Sequence, residues 1–149
     1  MIPKGAAIFF LVGLISAGLL GIYLSHIANQ IPTLVYTNGP SLTIIPEKIN
    51  YHLGESVHIR IINSGTTPLT FSDASYGLKI TRLDGAIVYS PISAQVISKL
   101  NPKEEKFFVW DQTKTDGSKI YQGRYNIISS TSFDAGNVLK NSVTINILK

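Results

Sequence analysis

Apolar positions fall into two regimes along the chain. From Ala6 to Ala28, AAIFFLVGLISAGLLGIYLSHIA, the run is apolar apart from Ser16, Ser25 and His26. At 1.5 Å rise per residue it makes a helix of about 35 Å, slightly more than the roughly 30 Å hydrocarbon core of a bilayer. The pattern therefore predicts one membrane-spanning helix over 6–28, behind a cytoplasmic segment 1–5. Segment 29–40, NQIPTLVYTNGP, carries two prolines and an Asn-Gly turn signal and reads as an extended linker.

Beyond Pro40 the period changes to two. Val57, Ile59 and Ile61 alternate with His58 and Arg60, and Val143, Ile145 and Ile147 alternate with Ser142, Thr144 and Asn146. Each segment thus presents one inward face. Between them lie short β-rich runs at 41–45, 68–72, 77–83, 86–90, 94–100, 106–110 and 124–130. Turn signals separate them at Leu53-Gly54-Glu55, Asn63-Ser64-Gly65, Asp84-Gly85, Asn101-Pro102 and Asp116-Gly117. Asp84-Gly85 is the sharpest, because an Asp-Gly pair can supply the two positive φ values of a tight hairpin. No segment after Pro40 sustains a 3.6 period. Residues 41–149 therefore read as one antiparallel β-sandwich, large enough for a core of its own.

Charge sharpens this division and sets an orientation. No Asp, Glu, Lys or Arg occurs from Gly5 to Pro46, and Lys4 precedes the apolar run while the next lysine is Lys48. The positive-inside rule then leaves the N-terminus in the cytoplasm and the sandwich outside. Ala17, Gly18 and Gly21 form a small-residue face compatible with helix pairing. The apolar run reads as an uncleaved signal anchor. A cleaved secretory signal is disfavoured, since only His26 and Ala28 offer the small-residue pair it needs. Lys4-Gly5 before an unbroken apolar helix also resembles the class III signal of archaeal type IV pilin-like proteins, which are cut after the glycine. That alternative makes the chain a pilin-like structural subunit beginning at Ala6.

From about Asn50 to Ser130 a further resemblance emerges. The pieces are Asn63-Ser64-Gly65 before Pro68-Leu69-Thr70-Phe71, then Tyr76-Gly77-Leu78 leading to Asp84-Gly85 and Ile87-Val88-Tyr89. Leu100-Asn101-Pro102-Lys103-Glu104 follows, then Phe108-Val109-Trp110-Asp111-Gln112, Asp116-Gly117 and Gly123-Arg124-Tyr125. Together they resemble the intracellular proteinase inhibitor (BsuPI) family of small immunoglobulin-like domains. The last run is shared with the immunoglobulin-like domain of flagellar hook-capping proteins. The resemblance implies an immunoglobulin-like sandwich, with Trp110 and Tyr125 in its core, and proteinase inhibition as an activity. The apolar N-terminus departs from the soluble family.

Chemistry is sparse. The chain has no cysteine, so thiolate metal sites and thiol nucleophiles are excluded. His52 and His58, with Glu55 nearest, have a spacing that matches no metal motif. No nucleophile elbow, phosphate loop or dinucleotide fingerprint occurs. The net charge of +4 is spread among carboxylates, which argues against nucleic acid as a partner. The expectation is a non-enzyme without cofactor, metal or small-molecule substrate that binds an envelope or membrane protein through its loops, as a proteinase inhibitor or as an accessory subunit of an envelope complex. Two loops qualify, Thr113–Tyr121 and Ser132–Asn141. Within the first, Thr113, Lys114, Thr115, Asp116, Lys119 and Tyr121 are the candidate contacts.

Overall fold

The structure, a computed structural model, describes residues 4–28, 30–133 and 136–149. Among the described residues it is a β-rich fold with one helix, and the chain divides into two compact units, Met1–Gln30 and Ile31–Lys149. The first holds helix α1 (Lys4–Ala28), which has no acidic residue in its first turn. Ser16 donates its hydroxyl back to the Val12 carbonyl at 2.8 Å, so its polar group is satisfied within the helix. Val12, Leu14, Ile15, Leu19, Leu20, Ile22 and Leu24 are all more than half exposed. Among the described residues no helix is long and apolar enough to cross a membrane.

The second unit contains ten strands: β1 (Leu42–Pro46), β2 (Asn50–His52), β3 (Val57–Asn63), β4 (Leu69–Phe71), β5 (Lys79–Arg82), β6 (Ile87–Tyr89), β7 (Ser98–Leu100), β8 (Glu105–Trp110), β9 (Gly123–Phe133) and β10 (Asn137–Leu148). They form a three-stranded sheet in the order β1-β3-β8, a five-stranded sheet in the order β2-β10-β9-β5-β6, and the pair β4-β7. The two larger sheets contribute to one core. Ile44, Val57, Ile59, Ile61 and Trp110 come from the first, and Tyr51, Ile80, Ile127, Ile145 and Ile147 from the second. The period-two residues singled out in the sequence are the ones that turn inward, and Trp110 is 1% exposed.

Four features differ from the expected elements. The β2-β10 pair is parallel, in a domain expected to be antiparallel throughout. Strand β2 escapes sequence reading because only Tyr51 points inward, too little to show a period. At Asp84-Gly85 only Gly85 has positive φ (86°), and Arg82 N–H donates to Ala86 O at 2.9 Å around a three-residue loop. This is the turn-plus-bulge connection, and the Asp84 carboxylate completes it by accepting from Ala86 N–H at 3.0 Å. The expected strand 94–100 shrinks to Ser98–Leu100, leaving Val96 and Ile97 exposed. Finally, the candidate loop Ser132–Asn141 is largely strand: β9 and β10 pair from Asn137↔Phe133 onward, with residues 134–135 outside the described residues.

The expected linker becomes part of the domain before Pro40. Thr37 N–H donates to Ser64 O, Thr66 N–H to Gly39 O, and Gly39 N–H to Thr66 Oγ1. Gly65 is needed here because a Cβ would overlap Gly39 O and stand 2.6 Å from Ser41 N. Buried Asn63 braces the same turn, donating to Thr67 O and Leu100 O and accepting from Gly65 N–H.

Candidate functional site

The segment after β8 leaves the core in steps that are each bonded. Trp110 Nε1–H donates to Thr113 O at 2.7 Å. Asp111 Oδ1 accepts from Thr113 N–H and hydroxyl, and the hydroxyl bond holds the Asp111 carboxyl below its ordinary pKa. Gln112 sits at φ 60° and is buried. Its side chain is fully used by the β2–β3 turn. Nε2 donates to His52 O and Glu55 O, and Oε1 accepts from Gly54 N–H. These bonds account for a backbone conformation that a side-chain-bearing residue rarely adopts.

Residues 113–121 then form a small hairpin. Thr113 and Lys119 make an isolated bridge, and Lys114 N–H donates to Ser118 O at 2.7 Å. Gly117 turns with φ 81°, and Asp116 Oδ1 accepts from Ser118 N–H. The Ser118 hydroxyl and this amide together keep the Asp116 carboxyl lowered. Thr115 ties the hairpin to β6, donating its N–H to Val88 O and accepting from Ser90 N–H on Oγ1. At the far end Tyr125 OH donates to Tyr121 O at 2.8 Å, while the Tyr125 ring meets Trp110 edge-on at 5.9 Å.

Of the six candidate residues, the fold brings Lys114 and Tyr121 together. Lys114 Nζ lies 6.0 Å from the Tyr121 ring centroid, and Tyr121 is 77% exposed. Both line a groove of about 280 Å³ with Arg82, Ile87, Val88 and Ile120. Thr113, Thr115, Asp116 and Lys119 shape and brace the hairpin without lining that groove. Arg82 and Ile87 went unnoticed in the sequence. The Asp84-Gly85 signal marks their hairpin, but nothing local says that it stands beside residues 113–121. A larger groove of about 490 Å³, also without a sequence signal, is lined by Ile31, Ile45, Pro46, Glu47, His58, Arg60 and Phe107.

The two histidines of this unit do not meet. His52 Nδ1 lies 3.1 Å from Lys149 O, and His58 stands on the other sheet. The Glu55 carboxylate pairs with Lys48 and accepts from His52 N–H, and the Lys48 hydrogen bond pulls its pKa down. Among the described residues no three His, Asp or Glu side chains are grouped to hold a metal.

No family model and no curated protein matches the chain. Among solved structures it is similar to Spo0M, the sporulation control protein of Bacillus subtilis, at 18% identity and a TM-score of 0.44. The similarity covers 72% of this chain and 49% of Spo0M, so the chain spans about half the length of that protein.

Proposed function

We propose that the protein is a membrane-anchored interaction module: an immunoglobulin-like sandwich held outside the cytoplasm that captures an envelope or membrane protein at the Tyr121 groove. The observation that carries the binding reading is the exposed Tyr121 beside Lys114, Arg82 and Ile87 on a hydrogen-bonded hairpin. Tyr and Arg are the side chains that dominate protein interfaces, and a braced hairpin presents them at little conformational cost. The immunoglobulin-like reading draws support from Tyr125, whose hydroxyl reaches back to Tyr121 O just after β9 begins, in the manner of a tyrosine corner. The anchor reading rests on the apolar run from Ala6 to Ala28 with Lys4 on its N-terminal side. A proteinase is the narrower version of the partner, suggested by the BsuPI-like motifs.

Photo-crosslinking from position 121 in native membranes tests the binding reading. A specific adduct that disappears in Lys114→Glu, with the melting transition unchanged, is the expected result. A chain that crosslinks to nothing would overturn it. A proteinase panel showing no stoichiometric inhibition removes only the narrower version. Protease added to spheroplasts should digest the sandwich, and a protected sandwich would reverse the orientation.

A further inference from the structure

The five-stranded sheet has an outer face that the Tyr121 groove does not use. Val143, Ile145 and Ile147 of β10 and Tyr125 and Ile127 of β9 turn to the core, so the residues between them point away. Register places Thr81, Asn126 and Thr144 in one row across β5, β9 and β10, and Arg124, Asn146 and Asn50 in another. One pair of side chains in each row is joined. Thr144 Oγ1 donates to Asn126 Oδ1 at 2.7 Å, and Asn146 Nδ2 to Asn50 Oδ1 at 2.6 Å. Thr81 keeps a buried hydroxyl without a hydrogen-bond partner among the described residues.

Charge on this face has one sign. Its cations are Lys79, Arg124 and Lys140, and the five strands contain no Asp or Glu. Arg82 stands opposite inward Tyr125, in the Tyr121 groove, and is held by Asp84, whereas Lys79, Arg124 and Lys140 form no ion pair among the described residues. Lys79 stands opposite Ile128, which stands opposite Ser142, two residues from Lys140. Strand spacing then separates the two lysines by about 12 Å, and Arg124, one strand across and four residues along β9, lies about 14 Å from Lys79. Such spacing suits a ligand that reaches across several strands, so a small anion is too short to use it.

We propose that this face binds an anionic polysaccharide, a hydroxyl-rich polymer bearing carboxylate or phosphate groups. The exposed amides and hydroxyl of Asn50, Asn126, Thr144 and Asn146 exchange hydrogen bonds with sugar hydroxyls, and the three unpaired cations take the acidic groups. An acidic protein is disfavoured by composition. Protein interfaces are enriched in aromatic residues and depleted in Lys and Ser, and here the outward positions of the central strands β9 and β10 are Ser, Thr, Asn, Lys and Arg124, with Ile128, Val138 and Leu148 interspersed and no aromatic among them. The inference is independent of the Tyr121 groove.

The test uses the full chain in neutral detergent and polygalacturonate as the probe. The expected result is saturable binding that weakens as salt rises from 50 to 300 mM, with neutral dextran not bound. Lys79→Gln/Arg124→Gln/Lys140→Gln should weaken binding by about ten-fold or more, while Lys99→Gln leaves it unchanged. Ser142→Lys, which adds a cation between the existing ones, should strengthen it and serves if the triple variant fails to fold. Failure of the wild type to bind, or equal binding by the triple variant with its melting transition intact, overturns the proposal. So does preference for poly-glutamate or for phosphatidylglycerol vesicles over polygalacturonate. Loss of crosslinking at position 121 with polygalacturonate binding retained would sink the groove and leave this face standing.

Discussion

The outer faces of the two larger sheets are built on opposite terms. On the three-stranded sheet the outward row across β1, β3 and β8 is Ile45, Arg60 and Phe107, with Ile62 and Val109 nearby. Ile45 and Ile62 are buried although their strand neighbours already fill the core, and Arg60 is paired with Glu105 at 3.2 Å. On the five-stranded sheet the outward positions are mostly amides and hydroxyls, with Ile128, Val138 and Leu148 among them, and the cations stand alone. Cover on the first face is partial, with Phe107 and Val109 68% and 58% exposed, and its charge is matched because desolvation penalises an unpaired ion. A polar face meets water on both counts and tolerates single-signed charge. Segment 31–41 belongs to the first face: Ile31 shares the groove of Ile45 and Phe107, and Thr37 is bonded to Ser64.

Substitutions sharpen this contrast, beginning with the core that both faces share. Trp110→Ala removes the largest buried side chain and the ring contacts to Tyr89 and Tyr125, and should cost about 3 to 5 kcal/mol by denaturant unfolding. Next comes Gly65→Ala, where the new methyl forces the Thr37–Ser41 segment off its turn. A loss of about 1 to 3 kcal/mol is expected, with faster amide exchange at Ile45 and Ile62 and none of that change at Asn126 or Thr144. Equal acceleration on both faces would show that the segment does not cover the first.

Acid should act through the turns and spare the polar face. Glu55, Asp84, Glu104, Asp111 and Asp116 all have lowered pKa values, the first two chiefly through hydrogen bonds from Lys48 and Arg82. A carboxyl lowered on folding contributes stability that is complete above its unfolded value, about 4, and is lost as pH falls through its folded value. Melting temperature should therefore hold from pH 7 to 5 and drop below pH 4, with Asp111→Asn reducing the drop. A drop beginning above pH 6 would implicate other groups.

Smaller effects are expected at the surface. Arg60→Ala breaks an ion pair whose partners are both more than a third exposed, so solvent screening limits the loss to about 1 kcal/mol or less. Thr144→Ala removes one exposed hydroxyl from the polar ladder and should stay within about 0.5 kcal/mol. If Thr144→Ala cost more than Arg60→Ala, the polar rows would be structural and the contrast between faces would be reversed.

Much of the strand inventory was legible because burial imposes a period. Val57, Ile59 and Ile61, and Val143, Ile145 and Ile147, announce their inward face with no reference to any partner. Trp110 is legible for its size. The Ser132–Asn141 stretch was misread because Val138 and Leu139 are adjacent and break the alternation, while pairing with β9 supplies the order. The Gly85 turn was legible as a turn and not as a type, since its loop length depends on where β5 and β6 resume pairing.

What the sequence by itself determined is local: an apolar run from Ala6 to Ala28, alternating strands, and turns at Asn63-Ser64-Gly65, Asp84-Gly85 and Asp116-Gly117. Each follows from side-chain period or backbone preference within a few residues. Only the tertiary structure decided which of those pieces became neighbours. It set the parallel β2-β10 pair, brought the Arg82–Ala86 hairpin beside Tyr121, and used Gln112 to hold a turn some sixty residues earlier in the chain. It also left Lys79, Arg124 and Lys140 on one face without a carboxylate. Such pairings are settled by competition among all strands for one core, and that competition leaves no period in the sequence.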